Sequence, residues 1–449
     1  MTGPITKRNS VLQKAWRQFC RAVVRAYYRN CEIEGMSNLP DQGPVLLCAN
    51  HANALADAVI IQAAINRTVH PLSRSGLFKN PLLRPILHIL QAVPVYRRQD
   101  ANSNPANNVD SFAKCYELFG NGGLLLIFPE GQSHSDTSLR AIKTGAARLA
   151  LNAMEHDATP TVLPIGLNFS QKGSFRSNVL IKLGTAIDLS GFTGGDQEDD
   201  VRQLTSDIQA GLDSVTISIE HGDDAELLHR IERFFSMRHG KYRRRSMELR
   251  FRALKRLHQS HDELRKHVPE QILKVKRHLQ QFERLCRNWG IRDYHLTTNY
   301  SPTIITRFIF RSLMILLLVL PLASWGIVNS IVPFLITRHA ARWVSQDTDQ
   351  YDTAKIVMGL FLFPLFWSGQ VAWVYFNLDF TLAIYYALSL PPAAAAAVFI
   401  RKERQRIWDN LRVFFLFLRK RKLRRYLTNK RNQIERELAQ LVRTSRKYR

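Results

Sequence analysis

Acidic residues are scarce in this sequence: 37 Asp and Glu stand against 63 Lys and Arg, a formal charge of +26. A deficit of negative charge on this scale predicts an anionic partner, whether nucleic acid, an anionic membrane or a phosphorylated substrate. Ordered cysteine is also lacking. Cys20, Cys31, Cys48, Cys115 and Cys286 never fall at CxxC spacing, which argues against a disulfide framework and a zinc module and fits reduced thiols facing a cytosol. His70, His88 and His156 have no convergent Asp, Glu or Cys around them, so no metal is expected. A Gly-x-Ser-x-Gly elbow is missing, so Ser133 beside His134 is not read as a hydrolase nucleophile. Met1 to Ser10 is polar and leads into no apolar core of secretory type, so any membrane insertion must come from later segments.

Those later segments are present. Ser312–Thr337, Ile356–Leu378 and Phe380–Ile400 are uncharged runs, each long enough to cross about 30 Å of hydrocarbon at about 1.5 Å per residue. Such runs have no place in an ordinary DNA-binding protein, and the basic residues are not interleaved with aromatics on a recognisable module, so nucleic acid is not expected as a partner. Arg401 to Arg449 carries 18 Lys and Arg against 4 Asp and Glu, which places that tail on the cytoplasmic side by the positive-inside rule. A basic catalytic half on the same side requires an even number of crossings. The expectation is therefore that 312–337, broken by Pro321, Asn329 and Pro333, is re-entrant, and that 356–400 forms the true hairpin.

Upstream, residues 1–30 hold a basic amphipathic helix with Val11, Trp16, Phe19, Val23, Val24 and Tyr27 on one stripe. It suits an anionic bilayer surface, and the same stripe would serve to pack on a core. From 31 to 221, short β-rich runs (45–49, 93–96, 124–128, 161–168, 179–183) alternate with helical spacing near 55–66, 81–90, 107–119 and 141–155. This alternation predicts an α/β domain whose ligands collect where strand ends meet helix N-termini. Residues 222–300 lack strand signals and read as long basic helices, broken near His239-Gly240 and ended near Trp289-Gly290. Residues 301–400 are the membrane segments, and 401–449 a basic helical cytoplasmic tail.

The chemistry gathers in four ordered blocks. Asn50-His51 follows a strand directly, with Asp57 six residues on. A histidine can take a hydroxyl proton near neutral pH, and a carboxylate can fix its tautomer. Val93-Pro94-Val95-Tyr96 ends in the adjacent cations Arg97 and Arg98. Phe128-Pro129-Glu130-Gly131-Gln132-Ser133-His134 ends another strand in a glycine turn, and Lys143 precedes the next helix. Pro164 lies on the strand after that. In this order the blocks resemble the four motifs of the glycerolipid acyltransferase family over residues from about 30 to 190.

The resemblance implies an acyltransferase domain that moves a fatty acyl group from acyl-CoA or acyl-carrier protein to glycerol 3-phosphate or its 1-acyl derivative. It needs no cofactor beyond the thioester. Another lysophospholipid or hydroxylated lipid is the alternative acceptor, and an inactive membrane-surface scaffold the alternative of another class. Residue by residue, it makes His51 the general base and Asp57 its orienting carboxylate. Arg97, Arg98 and Lys143 would hold the acceptor phosphate, Glu130, Gly131 and Ser133 would form the turn beside it, and Pro164 would shape the acyl side. Anionic lipids are expected partners, with the catalytic domain on the cytoplasmic face of a bacterial inner or endoplasmic reticulum-type membrane.

Two departures narrow the branch. Five residues separate His51 from Asp57 where four are usual, and Ser133 stands where the third block commonly has arginine. A branch that includes fungal-type glycerol-3-phosphate or dihydroxyacetone-phosphate acyltransferases is similar on both counts, and it also carries C-terminal membrane segments.

Overall fold

The structure is a computed structural model describing residues 5–79, 84–96, 108–134, 139–170, 174–195, 197–217, 227, 230–231, 234, 247–292, 295–296, 301–344 and 351–445. It divides into two units, residues 1–220 with 344–356, and residues 221–343 with 357–449.

In the first unit, seven strands form one sheet: β1 (Asn30–Glu34), β2 (Val45–Ala49), β3 (Val69–Arg74), β4 (Val93–Val95), β5 (Leu124–Ile127), β6 (Thr161–Phe169) and β7 (Asn178–Leu183), in the order β1-β7-β6-β2-β5-β3-β4. All neighbours are parallel except β6 and β7. All five residues of β2 are buried, the continuous apolar run expected of a parallel strand covered on both faces. Val45, Leu47 and Ala49 enter one core with α1 (Ile5–Tyr27) and α2 (Leu55–Ala64). Leu46 and Cys48 enter the other with α4 (Asn108–Gly120), α5 (Gly145–Glu155) and α6 (Glu198–Val215), while α3 is the short helix Arg84–Ile89.

The β1 and β3 strands and α6 escape the strand and helix patterns of the sequence. The edge strand β1 is polar and largely exposed, and β3 contains Pro71 and ends in Ser73-Arg74. Helix α6 opens on Glu198, Asp199 and Asp200, favourable at a helix N-terminus, and buries Val201, Leu204, Ile208, Leu212 and Val215.

The α1 helix shows the core-packing role that its stripe also allows. Cys20, Val24 and Tyr27 belong to the core on this face of the sheet, and α1 packs along α2. Arg21 ties the two together by donating to the Ala63 carbonyl (3.1 Å) and to Asn66 Oδ1 (2.7 Å). Val11, Leu12 and Phe19 remain exposed.

The second unit is helical: α7 (Met247–His267), α8 (Pro269–Asn288), α9 (Pro302–Met314), a π turn (Ile315–Val319), α10 (Leu320–Val344), α11 (Tyr351–Asn377), α12 (Phe380–Arg419) and α13 (Arg421–Ser445), the first residues of α11 and the last of α10 counting with the first unit. The stop at Trp289-Gly290 is observed, with Gly290 in the left-handed region at φ 65°. The break expected at His239-Gly240 lies outside the described residues. Three stretches, Pro302–Trp343, Ala354–Asn377 and Phe380–Arg419, are long and apolar enough to cross a membrane. The re-entrant expectation for 312–337 is corrected: the helix runs through Pro321, Asn329 and Pro333 without reversing. The π turn precedes Pro321, and the helix continues through Pro333. The basic segment 247–288 and the tail are one bundle rather than separate elements. Val275, Leu279 and Phe282 of α8 share a core with Val413 and Phe417 of α12 and with Leu427, Ile434 and Leu438 of α13.

Candidate active site

Adjacent parallel strands β2 and β5 are in register, with Cys48 opposite Ile127. The chain therefore leaves both strands at the same carboxyl edge of the sheet, where α/β ligands bind. Asn50 is the first residue beyond β2. Its Oδ1 accepts from the Leu167 amide (2.7 Å) and its Nδ2 donates to the Leu167 carbonyl (3.2 Å). The side chain thus adds one more rung to the β2–β6 ladder and holds the loop's starting point.

His51 is fixed from every side. Its Nδ1–H donates to Asp57 Oδ2 at 3.0 Å, its backbone amide donates to Glu130 Oε1 at 2.7 Å, and its carbonyl accepts from the His134 amide at 3.1 Å. The ring lies flat on Phe128, with centroids 4.0 Å apart and planes 17° apart. The histidine side chain is 19% exposed, whereas Asp57 is fully buried. The ring's Nε2 has no partner among the described residues, so it is the nitrogen left for a substrate. The Oδ2 of Asp57 also accepts from the amides of Ala52 and Asn53, both at 2.7 Å. Its Oδ1 is buried with no donor among the described residues, so the carboxylate's polar contacts converge on the one oxygen that orients His51.

The five-residue spacer is accommodated by a turn in which Ala56 N–H bonds the Asn53 carbonyl at 3.0 Å. Ala54 sits at its first corner with φ 45° and ψ −129°, a conformation that glycine adopts freely and an L-residue only under strain. The cost is local, of order 1–3 kcal/mol, and is carried by a residue between the two members of the His–Asp pair.

Glu130 is a buried junction rather than a surface carboxylate. Besides the His51 amide, it accepts from the Arg140 amide (3.1 Å) and forms a short contact through Oε2 with His134 Nε2. Gly131 has φ 74°, and a Cβ there would approach the Lys143 ammonium to 2.9 Å. Only glycine lets the lysine side chain lie across the turn. The Lys143 amide donates to the Pro129 carbonyl at 2.8 Å, which anchors the start of α5. Ser133 follows in the same turn, partly buried. The expected phosphate cations Arg97 and Arg98 lie outside the described residues. The structure therefore brings together His51, Asp57, Glu130, Gly131, Ser133 and Lys143.

Pro164 is buried in β6, and its ring would lie 2.8 Å from a Cβ at Gly184 and 3.0 Å from one at Gly211. Its contacts are those of a core residue between β7 and α6. The sequence pattern gave no role to Asn50 or Phe128. Their signal was adjacency to the motif residues, which does not reveal what a backbone amide or a ring face will touch. Among the described residues, no group of three or more His, Cys, Asp or Glu is placed to hold a metal ion.

The family model described as Acyltransferase matches residues 30–168, the segment from β1 to the end of β6. The chain carries an acyltransferase domain. Two yeast (Saccharomyces cerevisiae) proteins are similar. Glycerol-3-phosphate O-acyltransferase 1 is 22% identical over 47% of this chain and 40% of its own length. Glycerol-3-phosphate O-acyltransferase 2 is 31% identical over 27% of this chain and 17% of its own. The 1-acyl-sn-glycerol-3-phosphate acyltransferase of Borreliella burgdorferi is 23% identical over 34% of this chain and 57% of its own. The matches therefore span less than two thirds of these relatives. The crystal structure of the 1-acyl-sn-glycerophosphate acyltransferase from Thermotoga maritima shares 21% identity over 48% of this chain and 83% of its own, at a TM-score of 0.37.

Proposed function

We propose that this protein transfers a fatty acyl group from acyl-CoA or acyl-carrier protein to the free hydroxyl of glycerol 3-phosphate or 1-acyl-glycerol 3-phosphate, at a membrane surface. The observation that carries the reading is the His51–Asp57 pair at 3.0 Å, with the histidine held at the sheet's carboxyl edge and its second nitrogen left to a substrate. Asp57 fixes the tautomer that carries hydrogen on Nδ1, so Nε2 is the basic nitrogen. His51 takes the acceptor's hydroxyl proton as the oxygen attacks the thioester carbonyl. The tetrahedral oxyanion collapses, the C–S bond breaks, and the proton leaves with the thiol. Lys143, with Arg97 and Arg98 from the second block, would hold the acceptor's phosphate. Glu130 organises the site through the His51 backbone and needs no contact with the acceptor.

The deciding experiment offers the purified full-length protein a panel of labelled acceptors and one long-chain acyl-CoA, as wild type and as His51→Ala. Loss of about 10²–10⁴-fold in rate, with an unchanged melting profile, is expected for removal of a general base. Retained activity in His51→Ala rejects the mechanism. Arg97→Ala separates the acceptors: it raises KM severely for glycerol 3-phosphate and far less for a zwitterionic lysolipid.

The membrane reading rests on the three apolar helices, whose exposed Leu316, Leu317, Val328, Leu365, Trp373 and Phe376 would otherwise face water. The catalytic domain and the tail are both assigned to the cytoplasmic side, which requires one of the three to sit in the bilayer without a full crossing. A reporter fused after Arg342 checks this. Cytoplasmic activity there makes Pro302–Trp343 the segment that does not fully cross, and lumenal or periplasmic activity there together with the same readout from a reporter at Arg449 overturns the assignment.

A further inference from the structure

Where α12 ends and α13 begins, the second unit holds a cavity of about 560 Å³ that contains none of the catalytic residues. Its composition is divided. Leu296, Phe414, Phe417 and Leu418 supply an apolar wall, and Arg421, Arg424 and Arg425 supply cations, with Thr428 and Asn429 beside them. Among the described residues, no acidic residue lines it. The break at Lys420, the C-cap of α12, brings the last apolar turn of one helix against the first basic turn of the next. Arg424 is held in place, its guanidinium 5.6 Å from the centre of the Phe417 ring. Arg421 and Arg425 are exposed and make no ion pair among the described residues. This contrasts with other cations of the same unit, such as Arg292 with Asp409, Arg311 with Glu403 and Arg431 with Glu435. Leu418 is exposed at the rim although large and apolar.

We infer that this cavity is a binding site for an anionic phospholipid, its phosphate between Arg421, Arg424 and Arg425 and an acyl chain along Phe414 and Leu418. The volume lies inside the range of about 300–1,000 Å³ usual for ligand sites. Guanidinium forks match phosphate oxygens, and a basic pocket with an apolar wall beside membrane helices is the arrangement that selects anionic lipid head groups. A free phosphate would satisfy the arginines but leave the apolar wall and the exposed Leu418 unexplained. The site stands on the helical unit alone and does not depend on which acceptor the catalytic domain uses.

The test uses full-length protein in detergent and a fluorescent phosphatidylglycerol, an anionic lipid that is neither acceptor nor product of the proposed reaction, with phosphatidylcholine carrying the same label as the neutral comparison. Arg421→Gln combined with Arg425→Gln is expected to weaken phosphatidylglycerol binding at least tenfold. Lys422→Gln combined with Arg436→Gln removes the same charge outside the cavity and is expected to change it less than twofold. Leu418→Ser should weaken the lipid severalfold, and phosphatidylcholine should bind wild type at least tenfold more weakly. Glycerol 3-phosphate at equal concentration should fail to displace the probe. Equal losses in the two double variants would reduce the effect to diffuse charge and overturn the site. Displacement by glycerol 3-phosphate, or equal binding of phosphatidylcholine, would overturn the lipid assignment. Gln is compatible with a helix at these exposed positions, and a common melting temperature for the two double variants confirms that both are folded.

Discussion

The two units of this chain solve opposite problems with the same backbone hydrogen-bond rules. The α/β unit buries a continuous apolar sheet and clusters buried polar groups around His51, among them Asp57 and Glu130. His51 and Glu130 follow the ends of β2 and β5, and Asp57 sits in the first turn of α2. The helical unit does the reverse, exposing long apolar faces and joining its helices with isolated polar contacts. Tyr386 bonds Asn329 Oδ1, Gln370 Nε2 donates to the Asn329 carbonyl at 3.1 Å, and Trp325 Nε1 donates to Ser389 Oγ at 3.0 Å. In lipid, where the proposed function places these helices, there is no hydrophobic drive between them, so small residues and polar bridges would do the joining. Water sorts residues in the first unit, and lipid would take its place around the second.

The largest expected break in this comparison is chemical. Asp57→Asn would replace the acceptor that fixes the His51 tautomer, and a fall in acyl transfer of about 10²–10⁴-fold is expected. Steady-state assays check it, and the helical unit should be untouched, as judged by unchanged detergent solubility.

Next come two glycines that let backbones touch, one in each unit. A Cβ at Gly166 would lie 2.0 Å from the Val215 carbonyl oxygen, and one at Gly326 would lie 2.0 Å from that of Ala393. Gly166→Ala should cost at least ~1–3 kcal/mol of α/β stability through overpacking, read by denaturant unfolding. Gly326→Ala should separate α10 from α12 while leaving the catalytic unit's unfolding unchanged. A disulfide between Trp325→Cys and Ser389→Cys, formed in the wild-type background and lost with Gly326→Ala, is the readout.

Smaller is the relief at Ala54. Glycine removes strain of order 1–3 kcal/mol at φ 45° and costs about 0.5–1 kcal/mol of chain entropy, so Ala54→Gly should raise the unfolding midpoint by the equivalent of about 1 kcal/mol.

The smallest effect is one that the units share. Burial lowers the pKa of His70, although its Nδ1–H donates to the Leu90 carbonyl at 2.8 Å, and burial likewise lowers that of His295. A histidine whose folded pKa is depressed contributes stability above the unfolded value, about 6.5. It loses that contribution as pH falls below it, because only the unfolded chain then gains the proton. His70→Asn keeps a donor to Leu90 and should flatten the acid side of the stability profile measured between pH 7 and pH 5.

Much of the catalytic unit was legible from pattern. Buried parallel strands are apolar runs bounded by turns, so β2, β5 and β6 stood out. The His51–Asp57 block was legible because it directly follows such a strand. What pattern could not carry was contact between distant segments. Glu130 reads as a member of a glycine turn, yet its carboxylate holds the amide of a residue 79 positions away. The α1 stripe suits a membrane surface and a protein core alike, and only the fold shows that part of it docks on α2, because amphipathicity specifies an apolar neighbour without naming it. The breaks in 312–337 suggested a reversal, yet the helix continues through Pro321 and Pro333.

By itself, the sequence determined the α/β alternation, the apolar length of three later helices, the strong basic charge and the order of the four blocks, since each is a local property of residue type and spacing. Tertiary structure decided that His51 is gripped at its amide, carbonyl, ring face and Nδ1 at once. It also decided that the extra spacer residue is paid for at Ala54, and that the helices before and after the membrane segments share one core. Those outcomes depend on which surfaces meet, and a linear pattern states what a surface is made of but not what lies against it.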